Sequence, residues 1–468
     1  MQQKIFLLQH ELVQLRRAIY GAKSERHIAA DPNQGVLFDV PAQEKEPEKQ
    51  QVSYTRNKKQ SKKQPVRLEL PAHLPRHEII IEPQNLPEGA HRVNVKITEV
   101  LDYVPGTFRV IRYIRPYYAV AGQDESTQMI CAELPSRALP KSNASEGLLS
   151  YVTVSKFVDH LPFYRLVKMF KRLGIEIAES TINGWFSGVC RLLEPLYDAL
   201  KKEIMRTDYL MADETPIKVL TKDKPGASHK GYHWVYYDPL KKLALFDYRK
   251  GRGREGPDEM LENYSGYLQT DGYTAYDNLK NKAEITQLAC MAHARRYFEK
   301  AKDNDAARSE YALGQIRKLY AIERQASEQE LQPEEVKALR QKESLPILNE
   351  MESWLKEEVY KVAPKSAIGK AIAYSLKLWG RLIRYIEDGR LRIDNNLVEN
   401  SIRPVAIGRK NYLFAGSHNA AQHAAMIYSF FASCKIQNVE PFEWLKQTLE
   451  KIQEHPANKL HQLLPGQL

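Results

Sequence analysis

A chain of 468 residues that is 43% hydrophobic has room for two or more folded parts with sizeable cores. Lys and Arg number 69 against 58 Asp and Glu, and the net charge of +11 favours a polyanionic partner such as nucleic acid, a plainly basic surface being the alternative. Cys131, Cys190, Cys290 and Cys434 form no CxxC pair, which argues against a disulfide framework or a cysteine-rich zinc site, and no apolar run approaches the roughly 20 residues that span a bilayer; a cytoplasmic location is expected.

Ile5, Leu8, Leu12, Leu15 and Ile19 recur at steps of three and four, which predicts a helix within residues 1–30, as a short coiled coil or packed on its own protein. Residues 31–65, with Pro32, Pro41, Pro47 and the run Lys58, Lys59, Lys62, Lys63, read as a linker whose lysines are solvated or touch phosphates. Residues 66–146 read as a small β-rich domain, from the apolar stretches HEIIIEP, RVNVKITEVLDYVPG and FRVIRYIRPYYAVAG. On such a strand Arg109, Arg112 and Arg115 alternate faces and form no single stripe.

Residues 147–206 turn helical. Arg165 to Leu173 is amphipathic, Gly174 breaks it, and Ser180 is expected to N-cap the helix through TINGWFSGVCRLLEPL. Helix, glycine turn and helix outline a helix-turn-helix, and Lys168, Lys171, Arg172 and Arg191 would then meet phosphates; two ordinary packed helices are the alternative, with Trp185, Phe186 and Leu193 in the core.

Residues 207–298 alternate strands with short connections: Tyr209–Ala212, His233–Tyr237, Leu243–Asp247, a short helix at Pro257–Asn263, then Gly266–Thr270 and Ile285–Leu288. A mixed sheet covered by helices is the expected result. Residues 299–390 are almost wholly helical and charged. In 391–468 Asp394 is expected to N-cap a short helix that carries Glu399 and ends at Pro404, with further helices from Ala420 and Pro441.

Asp213 and Asp271 follow short apolar runs, so both should emerge at strand ends, while Glu399 lies on a helix. Three carboxylates gathered without cations repel one another, and bound magnesium, which takes hard oxygen ligands and leaves room for water and phosphate, would keep them ionised. That chemistry points to phosphodiesters. Cys290 and His293 make a Cys-x-x-His step that suits structural support better than zinc, two ligands being too few. Asn395 and Asn396 are candidates to hydrogen-bond near the acids, and Arg403, Arg409 and Lys410 are candidate phosphate ligands.

ADETP, QTDGYTAYDNL, CMAHARRYF, DNNLVENSIRP and GRKNYLFAGSHNAA, in this order and with a helical block before the glutamate, resemble the transposases of the insertion-sequence-66 family. The upstream SKFVDHLPFYR and AIYGAKSER belong to the same resemblance, which covers most of the chain. It implies a bacterial DDE enzyme with a ribonuclease-H-like catalytic fold, residues 207–298 and 391–468 forming its core around the 299–390 insertion. Carried over residue by residue, Asp213, Asp271 and Glu399 would be the catalytic acids, holding two magnesium or manganese ions, with Asp213 bridging them. The implied partners are the element's terminal inverted repeats and target DNA, a second copy of the chain, and companion proteins encoded by the element, in a nucleoid-associated bacterial setting. The implied reaction is strand cleavage followed by strand transfer; a resolvase-like nuclease or a catalytically silent DNA-binding protein are the alternatives. Many relatives carry paired cysteines in the N-terminal β-rich region. Pro87 to Val95 has none here, so zinc is not expected there.

Overall fold

The computed structural model describes residues 106, 108–114, 117–121, 127–131 and 135–467, apart from 141, 222–226 and 283. The expected N-terminal helix, the linker and the strands in HEIIIEP and RVNVKITEV lie outside the described residues, as does the cysteine-free stretch.

Of the expected β-rich domain, one antiparallel pair is described, β1 (Tyr117–Ala121) on β2 (Thr127–Cys131). The strand expected through FRVIRYI is not formed. Residues 108–114 have no strand partner among the described residues, and Val110 and Ile114 are exposed. A lone extended segment does not satisfy its backbone groups as a ladder does.

Helix α1 (Glu146–Phe157) is N-capped by Ser145, whose hydroxyl accepts from the Leu148 N–H. It is followed by α2 (Phe163–Arg172), whose Phe163, Leu166 and Phe170 face inward. Gly174 then takes a positive φ of 78°, which only glycine adopts freely, and turns the chain. Helix α3 (Glu179–Ile204) enters earlier than expected. Ala178 is already extended (φ −67°, ψ 144°) and serves as the N-cap, so Ser180 lies inside the first turn and caps nothing. Ile182, Val189, Leu193, Leu196 and Leu200 make its buried stripe.

Five strands form one mixed sheet in the order β5-β4-β3-β6-β7. They are β3 (Tyr209–Leu220), β4 (Ser228–Asp238), β5 (Leu243–Arg249), β6 (Gly266–Thr270) and β7 (Ile285–Ala289), with a short helix α4 (Glu255–Met260) between β5 and β6. β3, β4 and β5 are antiparallel neighbours; β6 runs parallel to β3, and β7 parallel to β6. This sheet, with the helices around it, makes an α/β domain.

β3 is much longer than its apolar run suggests. It continues through Pro216, which pairs with Tyr232 of β4. Arg409 donates to the Pro216 carbonyl from the side away from β4, and a residue's N–H and C=O point the same way along a strand. The nitrogen without a hydrogen therefore faces the side where β6 has already stopped, at the pair Met211–Gln269, and no ladder bond is lost.

The free edge of β5 is closed by a helix, α11 (His418–Ile436). Ser429 accepts from the Phe246 N–H at 2.8 Å and Ser433 from the Ala244 N–H at 3.0 Å. One helical turn between the serines matches two residues of strand. On the other side of the sheet α5 (Met291–Ala301), α6 (Ala306–Glu328), α7 (Pro333–Leu339), α8 (Leu345–Glu358) and α9 (Ala367–Leu382) form the helical block.

Helix α10 (Asn396–Tyr412) carries Glu399 and runs through Pro404 instead of ending there. The bond Pro404 cannot make would have gone to the carbonyl of Asn400, which lies on the exposed face, so water can replace it. Asp394 does not cap this helix; Asn395 is the N-cap residue, and Asp394 accepts from the Asn396 backbone beside it. The following helix begins at His418, capped by Ser417, two residues before the expected start, and α12 (Pro441–Lys451) starts at the proline as expected. No helix among the described residues is long and apolar enough to cross a membrane.

Candidate active site

Asp213 is not at a strand end. It is the fifth residue of the 12 in β3, just past the last residue paired with β6, while Asp271 directly follows β6. Parallel neighbours thus bring the two side by side where β6 terminates. Gly272 gives Asp271 its exit: its φ is +87°, and a Cβ there would come within 2.5 Å of Leu378. Asp271 Oδ1 accepts from the Tyr273 N–H at 2.8 Å, and the Tyr374 hydroxyl of α9 donates to the Asp271 carbonyl at 2.6 Å.

Glu399 reaches the same place because residues 392–395 are laid across β3, β6 and the exit from β7. Buried Gln269 of β6 donates to the Arg392 carbonyl at 2.9 Å, and the Tyr209 hydroxyl of β3 accepts from the Arg392 N–H at 3.0 Å. The Met291 N–H, just beyond β7, donates to the Ile393 carbonyl. Fully buried Asn395 donates from Nδ2 to the Ala212 carbonyl at 3.0 Å, and its own N–H donates to Cys290 Sγ at 3.2 Å. Cys290 therefore stands under the start of α10, its thiol pushed up to about 12 by burial. Asn396 turns away, donating to Asp394.

Asn395→Ala would strand the buried Ala212 carbonyl, a loss of about 1–3 kcal/mol. The expected result is a lower melting temperature, read by thermal denaturation.

The three carboxylates share one electrostatic neighbourhood. Burial, then the charges of Glu214 and Asp271, push the Asp213 carboxyl up to about 8; Glu399 adds to the rise, and the Glu214 N–H at 2.7 Å opposes it. Glu214 is raised by burial and held back by Arg252, which pairs with it and stacks 4.0 Å from the Tyr273 ring centre. Glu399 faces Arg296 at 3.5 Å and His293 at 3.8 Å. Burial and Arg296 lower the His293 pKa, while Asp271, Glu399 and Asp394 oppose that change. Glu399 Oε1 and Glu214 Oε2 are buried with no hydrogen-bond partner. Among the described residues no group of three or more His, Cys, Asp or Glu is placed to hold a metal ion.

Of the basic candidates, Lys168, Lys171 and Arg172 are exposed on α2, with Lys171 3.4 Å from Glu176. Arg191 is exposed on α3, and Arg403 and Lys410 are exposed on α10. Arg409 is different, since its guanidinium is tied to Thr215 Oγ1 at 3.0 Å and to the Pro216 carbonyl. It braces α10 against β3. Arg252 and Tyr374 lie in none of the quoted motifs, whereas Glu214 in ADETP and Arg296 in CMAHARRYF stand beside named candidates.

Comparison with known proteins gives the same picture along the chain. Residues 141–423 match the model described as Transposase IS66 family, residues 7–79 that of Transposase C of IS166 homeodomain, and residues 429–465 the IS66 C-terminal element. Among curated relatives, uncharacterized protein y4jD of Sinorhizobium fredii is 31% identical, over 98% of this chain and 94% of its own length. Uncharacterized protein y4qI of the same organism is 33% identical, over 96% and 87%. A shorter match, 41% over 49 residues, is to uncharacterized protein YuaK of Escherichia coli. With a sheet-top cluster of acids and these matches spread from its N-terminal DNA-binding element to its C-terminal element, the chain belongs to the IS66 family of transposases.

Proposed function

We propose that this chain is a DDE transposase that binds the terminal inverted repeats of its element, cleaves strands at the element ends and joins them to target DNA, with Asp213, Asp271 and Glu399 as its acidic triad. The observation that carries the reading is the convergence of these acids, distant in sequence, on Asp213, whose carboxyl their charges help hold protonated up to about pH 8. The sheet order supports a ribonuclease-H-like core: an antiparallel meander extended by two parallel strands, with acids on its first strand and directly after its fourth.

The donor set fits divalent cations. All three groups offer hard oxygens, and Glu399 Oε1 and Glu214 Oε2 have no hydrogen-bond partner. Magnesium bound by one or two carboxylates, with water and phosphate completing its shell, needs no cluster of three on one ion. Two magnesium or manganese ions held by Asp213 jointly with Asp271 and with Glu399 would, when bound, supply charge neutralisation at the attacking and leaving oxygens.

The chain's own residues do the rest. Tyr374 and Gly272 fix the backbone of Asp271, Asn395 and Cys290 fix the start of α10, and Arg252 holds Glu214. Exposed Lys168, Lys171, Arg172, Arg403 and Lys410 would meet phosphates, whereas Arg409 serves as a brace. His293 stands at the edge of the acids, beside Glu399. Residues 7–79 would recognise element ends, and pairing two ends calls for two copies of the chain, with companion proteins encoded by the element joining that assembly in the bacterial nucleoid.

Strand transfer tests the reading. A pre-cleaved terminal-repeat duplex incubated with full-length protein, magnesium and a supercoiled plasmid should yield joined products. A product set limited to hydrolysed ends would instead assign a nuclease.

A further inference from the structure

Beyond the acids, α10 ends in an unusual turn. Leu413 has φ +61° and ψ −39°, and the Phe414 N–H donates back to the Tyr412 carbonyl at 2.6 Å. That is a γ-turn of the rare, strained kind, built on a residue that is not glycine. Its two apolar side chains point outward, Leu413 60% exposed and Phe414 44% exposed. Normally such residues would be buried, and such a turn would use glycine.

The surroundings hold the turn in place. Tyr412 is anchored inward through its hydroxyl contact with Tyr428, and Ala415 is clipped to the free edge of β3, donating to the Lys218 carbonyl at 2.8 Å and accepting from the Leu220 N–H at 2.9 Å. Exposed lysines flank the tip. Lys218 and its register partner Lys230 are exposed, Lys410 is exposed one turn before Leu413, and no Asp or Glu occurs from Asn400 through Val439.

We infer that Leu413 and Phe414 form a wedge that inserts into a base step of duplex DNA, with Lys218, Lys230 and Lys410 closing on the flanking phosphates. The chemistry is that of proteins that place apolar side chains between bases and unstack them. Five residues of β3 separate Asp213 from Lys218, roughly 17 Å, or about five base pairs of duplex at about 3.4 Å each. The wedge would therefore act about that far from the bond being cut. This inference rests on the DNA-cleaving reading above.

The test uses full-length Asp271→Ala protein, which cannot cut, on a labelled terminal-repeat duplex probed with permanganate for unstacked thymines. Enhanced reactivity about five base pairs from the cleavage position is the expected result. Leu413→Gly, which suits the positive φ, and Phe414→Ala should each abolish that signal and weaken duplex binding roughly tenfold, the worth of one base stack. Neither should lower the melting temperature, and both should keep the salt dependence of binding. Binding without any unstacked thymine, or unstacking unchanged in both variants, overturns the wedge and leaves the transposase reading intact. No binding to the duplex at all overturns that reading, and the wedge with it.

Discussion

Replacing Asp271 with Ala should reduce strand cleavage at least 10³-fold, an order typical for loss of a group that stabilises transition-state charge, while binding of the terminal-repeat duplex stays within about twofold of wild type. Asp271 leaves the sheet beside Asp213, with its backbone fixed at both ends, by the Tyr273 N–H to its carboxylate and by Tyr374 to its carbonyl. Removing the carboxylate frees the Tyr273 N–H but leaves the Tyr374 bond, which goes to the main-chain carbonyl. Activity should therefore fall with little change in melting temperature. Gel assays of cleavage and fluorescence anisotropy of binding, run on one preparation, separate the two effects. Cleavage within tenfold of wild type would remove Asp271 from the reaction.

The second large effect concerns stability. In the unfolded chain Asp213 loses its proton near the ordinary value of 3.8, whereas in the fold burial and its acidic neighbours hold the proton up to about 8. The folded state gains from this below pH 3.8 and progressively loses the gain as pH rises, until the carboxyl ionises near 8. At about 1.4 kcal/mol for each pH unit, ionised Asp213 costs the metal-free fold on the order of 5 kcal/mol above pH 8. Asp213→Asn keeps the shape of the protonated acid without that cost. In chelator at pH 8 it should melt several degrees higher than wild type, with the gap closing towards pH 4. Added magnesium should raise the wild-type melting temperature, more so at pH 8 than at pH 6, and should do so far less in the variant. A variant no more stable than wild type at pH 8 would mean that Asp213 carries no such electrostatic load.

Much of this arrangement can be read from local pattern, and the rest depends on contacts across the chain. β6 runs from Gly266 to Thr270 as its apolar run and bounding glycines indicate, which places Asp271 correctly. β3 was harder to read. Pro216 reads as a strand exit, but a proline facing an unpartnered side is no obstacle, and which side is unpartnered depends on how far β6 extends. Pro404 reads as a stop for the same reason, a local rule overruled because the orphaned carbonyl faces water. The Cys-x-x-His step offers too few ligands for zinc, but nothing local to it names the Asn395 N–H as the partner of Cys290. The hold of Tyr374 on Asp271 spans 103 positions, and no periodicity of either segment foretells it. The basic residues divide on the same ground. Arg409 and Lys410 are neighbours in sequence, yet one is committed to β3 and the other is free to face solvent, because successive residues on a helix point about 100° apart.

Ser429 and Ser433 fill the outward N–H groups of Phe246 and Ala244 with hydroxyls from within the same chain. A sheet whose margin is sealed in this way offers no template for an added strand, so copies of this protein cannot zip together through β5 into a continuous sheet.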